Sequence, residues 1–296
     1  MRSRPSPPTE LLPAAAILVL LVAGGLRAGA LAADRATPFA VASVGEPDRR
    51  VRQEPFRWRG RVPAGGIVEV RGLSGFIRAS LASGDQAEVS AVKRGAPRDT
   101  AAVQIQVVEH AGGVTICAIY PTRDGRMGTC RPGGPDADEM QNGDVRNSDV
   151  QVDFTVQVPR GVSFVGRTVQ GDVTARGLAG PVHASSVNGS IELSTSGSGD
   201  AETVNGSVTA VLGSTDGGPL SLRTVNGSVE LTLPAGAGAN IEAETMNGEI
   251  STDVPLDGVT RMGKNHVEGT LGGGGPEVEL ETMNGDIDLR SGSSSP

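Results

Sequence analysis

TVNGSVTA occupies residues 203–210, TVNGSVEL residues 224–231, TMNGEIST residues 245–252 and TMNGDIDL residues 282–289. Two looser spellings precede them, TVQGDVTA from Thr168 and SVNGSIEL from Ser186, and HVEGTLGG from His266 reads as a degenerate copy. The phrase glycines then fall at 171, 189, 206, 227, 248, 269 and 285, so successive copies lie 16 to 21 residues apart. Self-similarity at such a period marks a repeat architecture, in which each unit buries itself against its neighbours.

Within a copy the apolar residues alternate. Leu220 and Leu222, then Val229, Leu231 and Leu233, are separated by Ser221, Arg223, Ser228, Glu230 and Thr232. A period of two means strands, and the parity flips across the Asn-Gly phrase, so the chain turns there. Two turns fit. A two-residue Asn-Gly hairpin would pair Leu222 with Leu231 and Leu220 with Leu233. Alternatively, Asn in the left-handed region makes the corner of a coil that stacks on the next. Thr, Val or Met, Asn, Gly and then Val or Ile recur together, while length varies only in connecting stretches such as STDGG from Ser214 and AGAGAN from Ala235. Recurrence in register favours an all-β fold: a β-solenoid, parallel β-helix-like, with coils of 16–21 residues and Asn-Gly corners. The antiparallel hairpin meander is the alternative.

In the solenoid, coils lie about 4.8 Å apart, so seven copies make a rod about 30 Å long. Asn188, Asn205, Asn226, Asn247 and Asn284 form a corner ladder with Gly189, Gly206, Gly227, Gly248 and Gly285, and stacked amides can hydrogen-bond from coil to coil. Val187, Val204, Val225, Met246 and Met283 are expected to form a second ladder inside the stack. On that assignment Val225→Asp is strongly destabilising and Ser221→Asp nearly silent.

The same parity flip occurs in VEVRGLSGFIRASL at 68–81, so the array begins near Ile67 and is interrupted. AAVQIQVVEH, GGVTICAIYP and SDVQVDFTVQVP add alternating strands, and no helix is expected after the leader. Residues 121–149 form a polar insert rich in Gly and Asp, of a length that is either functional or disordered. The expected organisation is a signal peptide at 1–33, a flexible linker at 34–55, an N-terminal β region at 56–160 containing the insert, a repeat array at 161–290 and a tail at 291–296.

Composition agrees with thin layers. The chain of 296 residues has 43 Gly but five Phe, one Tyr and one Trp, so its core must be built from small and branched aliphatics. Arg2 and Arg4, an uncharged apolar run at 11–26 and small residues around Ala30 and Ala32 read as a secretory leader. The run is short of the ~20 apolar residues that span a bilayer. Export leads to a periplasmic, cell-surface or secreted location, where Cys117 and Cys130 are expected to pair. Without residues 1–33 the chain carries 23 basic and 33 acidic side chains. From Arg167 onward the count is 6 against 17, a surface that repels nucleic acid and anionic lipid.

The leader, VPAGGIVEV at 62–70, VPRGVSF at 158–164 and the TVNG copies together resemble a bacterial putative-adhesin family of β-strand repeat proteins of the cell envelope, a domain of unknown function. The likeness covers about residues 56–290. It implies an envelope β-solenoid, and it brings no catalytic residues with it. The cysteine-bearing insert is less typical of that shared pattern.

Chemistry is sparsely signalled. Asp286 with Asp288, and Glu242 with Glu244, supply paired carboxylates of the kind glycoside hydrolysis needs, yet alternate acids are what any solvated strand displays. Glycan stacking would have to use Phe56, Trp58 or Tyr120, because no aromatic follows Phe164; Trp58 reads as a cap on the open edge of the first coil. Asp136, Asp138, Glu139, Asp144 and Asp149 could offer oxygen to calcium but lack EF-hand spacing. The two cysteines and the scattered His110, His183 and His266 lack zinc spacing. No catalytic, cofactor-binding or metal residue is assigned. The expectation is an exported, non-catalytic, adhesin-like or scaffolding protein with an envelope protein or surface ligand as partner. A carbohydrate-active β-helix enzyme is one alternative, and an envelope-stress accessory protein binding its partner through 121–149 is another.

Overall fold

The computed structural model describes residues 55–133, 149–261 and 264–292. The expected leader, nearly all of the linker, and four of the calcium candidates (Asp136, Asp138, Glu139 and Asp144) lie outside the described residues.

The interrupted first part comprises β1 (Phe56–Arg61), β2 (Ile67–Arg71), β3 (Ile77–Leu81), β4 (Gln86–Arg94), β5 (Gln104–His110), β6 (Gly113–Ile119) and β7 (Gln151–Val158). A short helix, α1 (Pro97–Ala102), joins β4 to β5, where the sequence pattern gave no helix; Pro97 at its first turn and Asp99 beside it are ordinary helix starters. The array follows as strand pairs, each divided by a Gly-centred phrase: β8 (Ser163–Gln170) with β9 (Val173–Leu178), β10 (Val182–Asn188) with β11 (Ile191–Thr195), and β12 (Gly199–Asn205) with β13 (Val208–Leu212). Next come β14 (Leu220–Asn226) with β15 (Val229–Leu233) and β16 (Ala239–Asn247) with β17 (Ile250–Thr252). The chain ends with β18 (Asp257–Arg261), β19 (His266–Leu271), β20 (Glu277–Asn284) and β21 (Ile287–Ser291).

Every phrase except HVEGTLGG divides a coil into two strands that go to different sheets. The first sheet runs β1-β4-β7-β3-β9-β11-β13-β15-β21-β17 and the second β18-β19-β16-β20-β14-β12-β10-β8-β2-β6-β5. Leu222 pairs in parallel with Ala201 and Leu280, not with Leu231, so the hairpin meander is excluded. The coils are flattened into two facing parallel sheets, a β-solenoid-like stack.

The stacking order departs from chain order at both ends. The β2–β3 coil lies between the β6–β7 and β8–β9 coils, and the β20–β21 coil between β14–β15 and β16–β17. HVEGTLGG is therefore not a coil: β19 runs antiparallel to β16, with Ala243 opposite Val267, and β18 runs antiparallel to β19. At the opposite end β4 and β1 close the first sheet and β5 the second, all antiparallel. These reversed strands occupy edges on which a further parallel coil could otherwise add.

The core consists of inward ladders of Val, Leu, Ile and Ala. The slimmest coil, β12–β13, presents Gly199, Ala201, Val208 and Ala210 inward. A Cβ on Gly199 would stand 2.7 Å from Leu220 Cδ1 and 2.8 Å from Leu193 Cδ2, so neighbouring leucines fill the space it leaves. Large side chains of one coil fill the space left by small ones in the next, and Phe154, Phe164 and Tyr120 add buried rings toward the insert end of the stack.

One facing assignment is reversed. Thr224, at 4% exposure, continues the inward row of Leu220 and Leu222, so Val225 points outward; Val204, Met246 and Met283 are 37%, 62% and 41% exposed. The apolar ladder of the phrase is an outer ladder. Strand parity and the hydroxyl bonds described below override the hydrophobicity of that position.

Candidate functional site

The repeated phrase is a stacking device with a role for each letter. Its hydroxyl faces inward and donates to the carbonyl of the phrase glycine one coil away: Thr203 to Gly189 at 2.8 Å, Thr224 to Gly206 at 2.8 Å, Thr282 to Gly227 at 2.8 Å and Thr245 to Gly285 at 2.9 Å. Each Asn is the last residue of its strand, and the amides form a chain. Asn205 Nδ2 donates to Asn188 Oδ1 at 2.9 Å, Asn226 to Asn205 at 2.9 Å, Asn284 to Asn226 at 3.0 Å and Asn247 to Asn284 at 3.0 Å. The ladder thus follows the spatial order of the coils, with Asn284 ahead of Asn247. Glycine is required by clearance: a Cβ on Gly189, Gly206, Gly227, Gly248 or Gly285 would come within 2.0 to 2.2 Å of the carbonyl oxygen of the neighbouring coil's glycine. The hydroxyl and amide of these phrases are thus engaged in the spine, while the Val or Met between them faces outward.

The insert is fastened to the outer face of the second sheet. Cys117 on β6 is bonded to Cys130, with an S–S distance of 2.00 Å and Cα atoms 5.6 Å apart. Cys130 N donates to Gln106 Oε1 at 3.1 Å, and Gly133 N to Glu69 Oε2 at 3.2 Å. Under this cover lies a charged cluster that sequence reading did not find. Glu69, 1% exposed, accepts from Arg71 Nε at 2.7 Å and from Thr115 Oγ1 at 2.8 Å. Glu69 and Arg71 alternate with Val68 and Val70 as any solvated strand does, yet both are buried, with Gly133 of the insert bonded to Glu69. At the base of the insert Tyr120 Oη donates to Val150 O at 3.1 Å and Ser74 O at 3.4 Å, and burial together with the Asp153 charge pushes its pKa up to about 12.

Beside the cover, the same outer face carries a groove of about 340 Å³ where strands β8, β10, β12, β14 and β20 enter the second sheet. Exposed Pro181 and Pro219 contribute apolar surface, and His183, Asp200, Ser221 and Glu279 stand in one row across four adjacent strands. His183 Nδ1 lies 2.8 Å from Asp200 Oδ2. Neither residue forms a recognisable motif, because they are 17 positions apart and meet only through coil register.

The suspected carboxylate pairs remain on outer faces: Glu242 and Glu244 are exposed, and Asp286 is exposed beside a half-buried Asp288. Asp149, exposed at the end of the insert, is the one calcium candidate within the described residues. Trp58 is half-buried against the core at the end of the stack, and its Nε1 donates to Glu109 Oε1 at 3.0 Å, tying edge strand β1 of one sheet to β5 of the other.

Parallel two-strand coils, a Thr-Asn-Gly spine and antiparallel caps define the molecule as a two-sheet β-solenoid-like repeat protein. The family model described as Toastrack DUF4097 matches residues 139–290, just over half of the chain, and the chain belongs to that family. Among solved structures it is similar to a "putative cell adhesion protein" from Clostridium sporogenes ATCC 15579, at 12% identity and a TM-score of 0.42, covering 81% of this chain and 100% of that one. It is also similar to a "putative adhesin" from Bacteroides fragilis NCTC 9343, at 12% identity and a TM-score of 0.28, covering 81% of this chain and 97% of the other. No curated protein matches it.

Proposed function

We propose that this chain is an exported, non-catalytic binding protein of the bacterial envelope, adhesin-like or scaffolding, and that the outer face of its second sheet is the binding surface. The groove beside the disulfide-fastened cover carries the reading. A stacked spine makes the scaffold rigid, so groups set on its outer rows are held at fixed spacing without ordering a loop on binding. The Cys117–Cys130 bond supports an oxidising compartment. The bond also holds residues 130–133 against the sheet, which favours a second reading in which residues 121–149 contribute to the contact.

Crosslinking the mature chain to native envelope, followed by capture, tests both readings. Specific capture of an envelope component by the full chain is expected. Loss of that capture on deleting residues 134–148 assigns the contact to the insert. Capture of nothing by either form, or release of sugars from envelope polysaccharide by the purified protein, overturns the proposal.

A further inference from the structure

The outer rows of the second sheet change character along the stack. Near the insert they are covered and hold the Glu69–Arg71 pair. At the far end they carry exposed Glu242, Glu244 and Glu268. The groove lies between and crosses five strands, a span of about 19 Å at 4.8 Å per strand. That length accommodates roughly six residues of extended polypeptide.

Its polar groups are unevenly engaged. Asp200 is paired with His183, and Glu279 with Arg223 at 2.5 Å. Glu277 is exposed and makes no ion pair among the described residues. Ser221 Oγ is shut off from solvent and has no hydrogen-bond partner among the described residues, an expensive state for a hydroxyl. Ser221 and His183 are separated by β12, roughly 9–10 Å at two strand spacings, so the hydroxyl cannot pass its proton to the imidazole and the row is not a hydrolytic triad. The one aromatic residue of the lining, Phe164, is fully buried and offers no face for a sugar to stack on.

We infer that this groove binds an extended polypeptide segment bearing Lys or Arg, laid along the stack. Cationic ends meet Glu277 and Asp200, and aliphatic stems cover Pro181 and Pro219. Charge complementarity selects this occupant: the chain from Arg167 onward has 17 acidic side chains against 6 basic ones. Long basic side chains can place their stems on apolar surface while their charged ends reach a polar rim. The inference rests on the reading of the chain as a binding protein and names the chemistry of its partner.

The test is fluorescence anisotropy of the full mature chain with a labelled, end-blocked peptide KSVKSV, with ESVESV, spermidine and chitohexaose as competitors. Saturable binding is expected, displaced by unlabelled KSVKSV alone. Asp200→Asn with Glu277→Gln should weaken it by about tenfold or more, whereas Glu242→Gln with Glu268→Gln, outside the groove, should change it by less than about twofold. Matched urea transitions of the variants show that folding is retained. Absence of binding, equal displacement by ESVESV, displacement by spermidine or chitohexaose, or an unchanged groove double variant overturns the inference. Envelope capture that the groove variants leave intact would refute this site while leaving the binding-protein reading standing.

Discussion

Gly227→Ala is the sharpest probe of the spine. A Cβ at Gly227 would stand 2.0 Å from Gly206 O and 2.5 Å from its carbonyl carbon. An ordinary carbon–oxygen contact is about 3.3 Å, so the two coils must part locally by about 1 Å from their spacing of about 4.8 Å. Two backbone bonds bracket the contact, Gly206 N to Asn226 O and Val208 N to Ser228 O, each 3.0 Å. Lengthening either by about 1 Å takes it outside hydrogen-bonding range, and the Thr224–Gly206 and Asn226–Asn205 bonds stretch with them. Two lost bonds at about 1 kcal/mol each, with about 1–3 kcal/mol of overpacking strain, give about 3–5 kcal/mol. Gly84→Ala is the control, because a Cβ there meets nothing within 4 Å and its backbone is not left-handed. Urea denaturation followed by far-ultraviolet circular dichroism should separate the two variants by several kcal/mol. A Gly227→Ala protein within about 1 kcal/mol of the parent would show that coil contact is not the reason for glycine at this position.

Thr224→Val keeps the shape but leaves Gly206 O without its hydroxyl donor, and should cost about 1–3 kcal/mol in the same assay. Val225→Asp, on the outer ladder, should change stability by no more than about 0.5 kcal/mol, whereas Leu222→Asp, fully buried, should cost several kcal/mol or abolish folding. Tyr120, the only tyrosine, should ionise near pH 12 in an absorbance titration. Because its folded pKa lies above the unfolded value of about 10, its neutral phenol contributes fully below about pH 10 and that contribution is lost as pH rises through about 12; measured against Tyr120→Phe, the loss should reach about 2–3 kcal/mol. Replacing Cys117 and Cys130 together by Ser should lower stability by about 3 kcal/mol in the chain-entropy account, and reductant should lower the parent to the same level.

The sequence and the structure divide the molecule in a particular way. Period-two alternation, parity reversal and recurrence in register were enough for parallel coils, because each is a local requirement repeated in every copy. Tyr120, Cys117 and Trp58 could be singled out as rare residues in a chain of small ones. Glu69, Arg71, His183 and Ser221 could not, since each occupies an outward strand position where a polar residue is unremarkable. Val225 faces outward against its hydrophobicity because strand parity places it there, and the Thr224 bond that holds this facing joins residues of different coils.

What the sequence determines by itself is therefore the coil: its strands, its corner and the inward aliphatic rows on either side of the phrase, all fixed by steric and hydrogen-bonding demands within about twenty residues. Tertiary structure alone decides which coil sits on which. Copies that share one phrase offer interchangeable ladders, so local pattern cannot say that Asn284 belongs between Asn226 and Asn247. Interleaving at both ends, the cover over Glu69 and the meeting of His183 with Asp200 all follow from that order, and with them the surface on which function is proposed to rest.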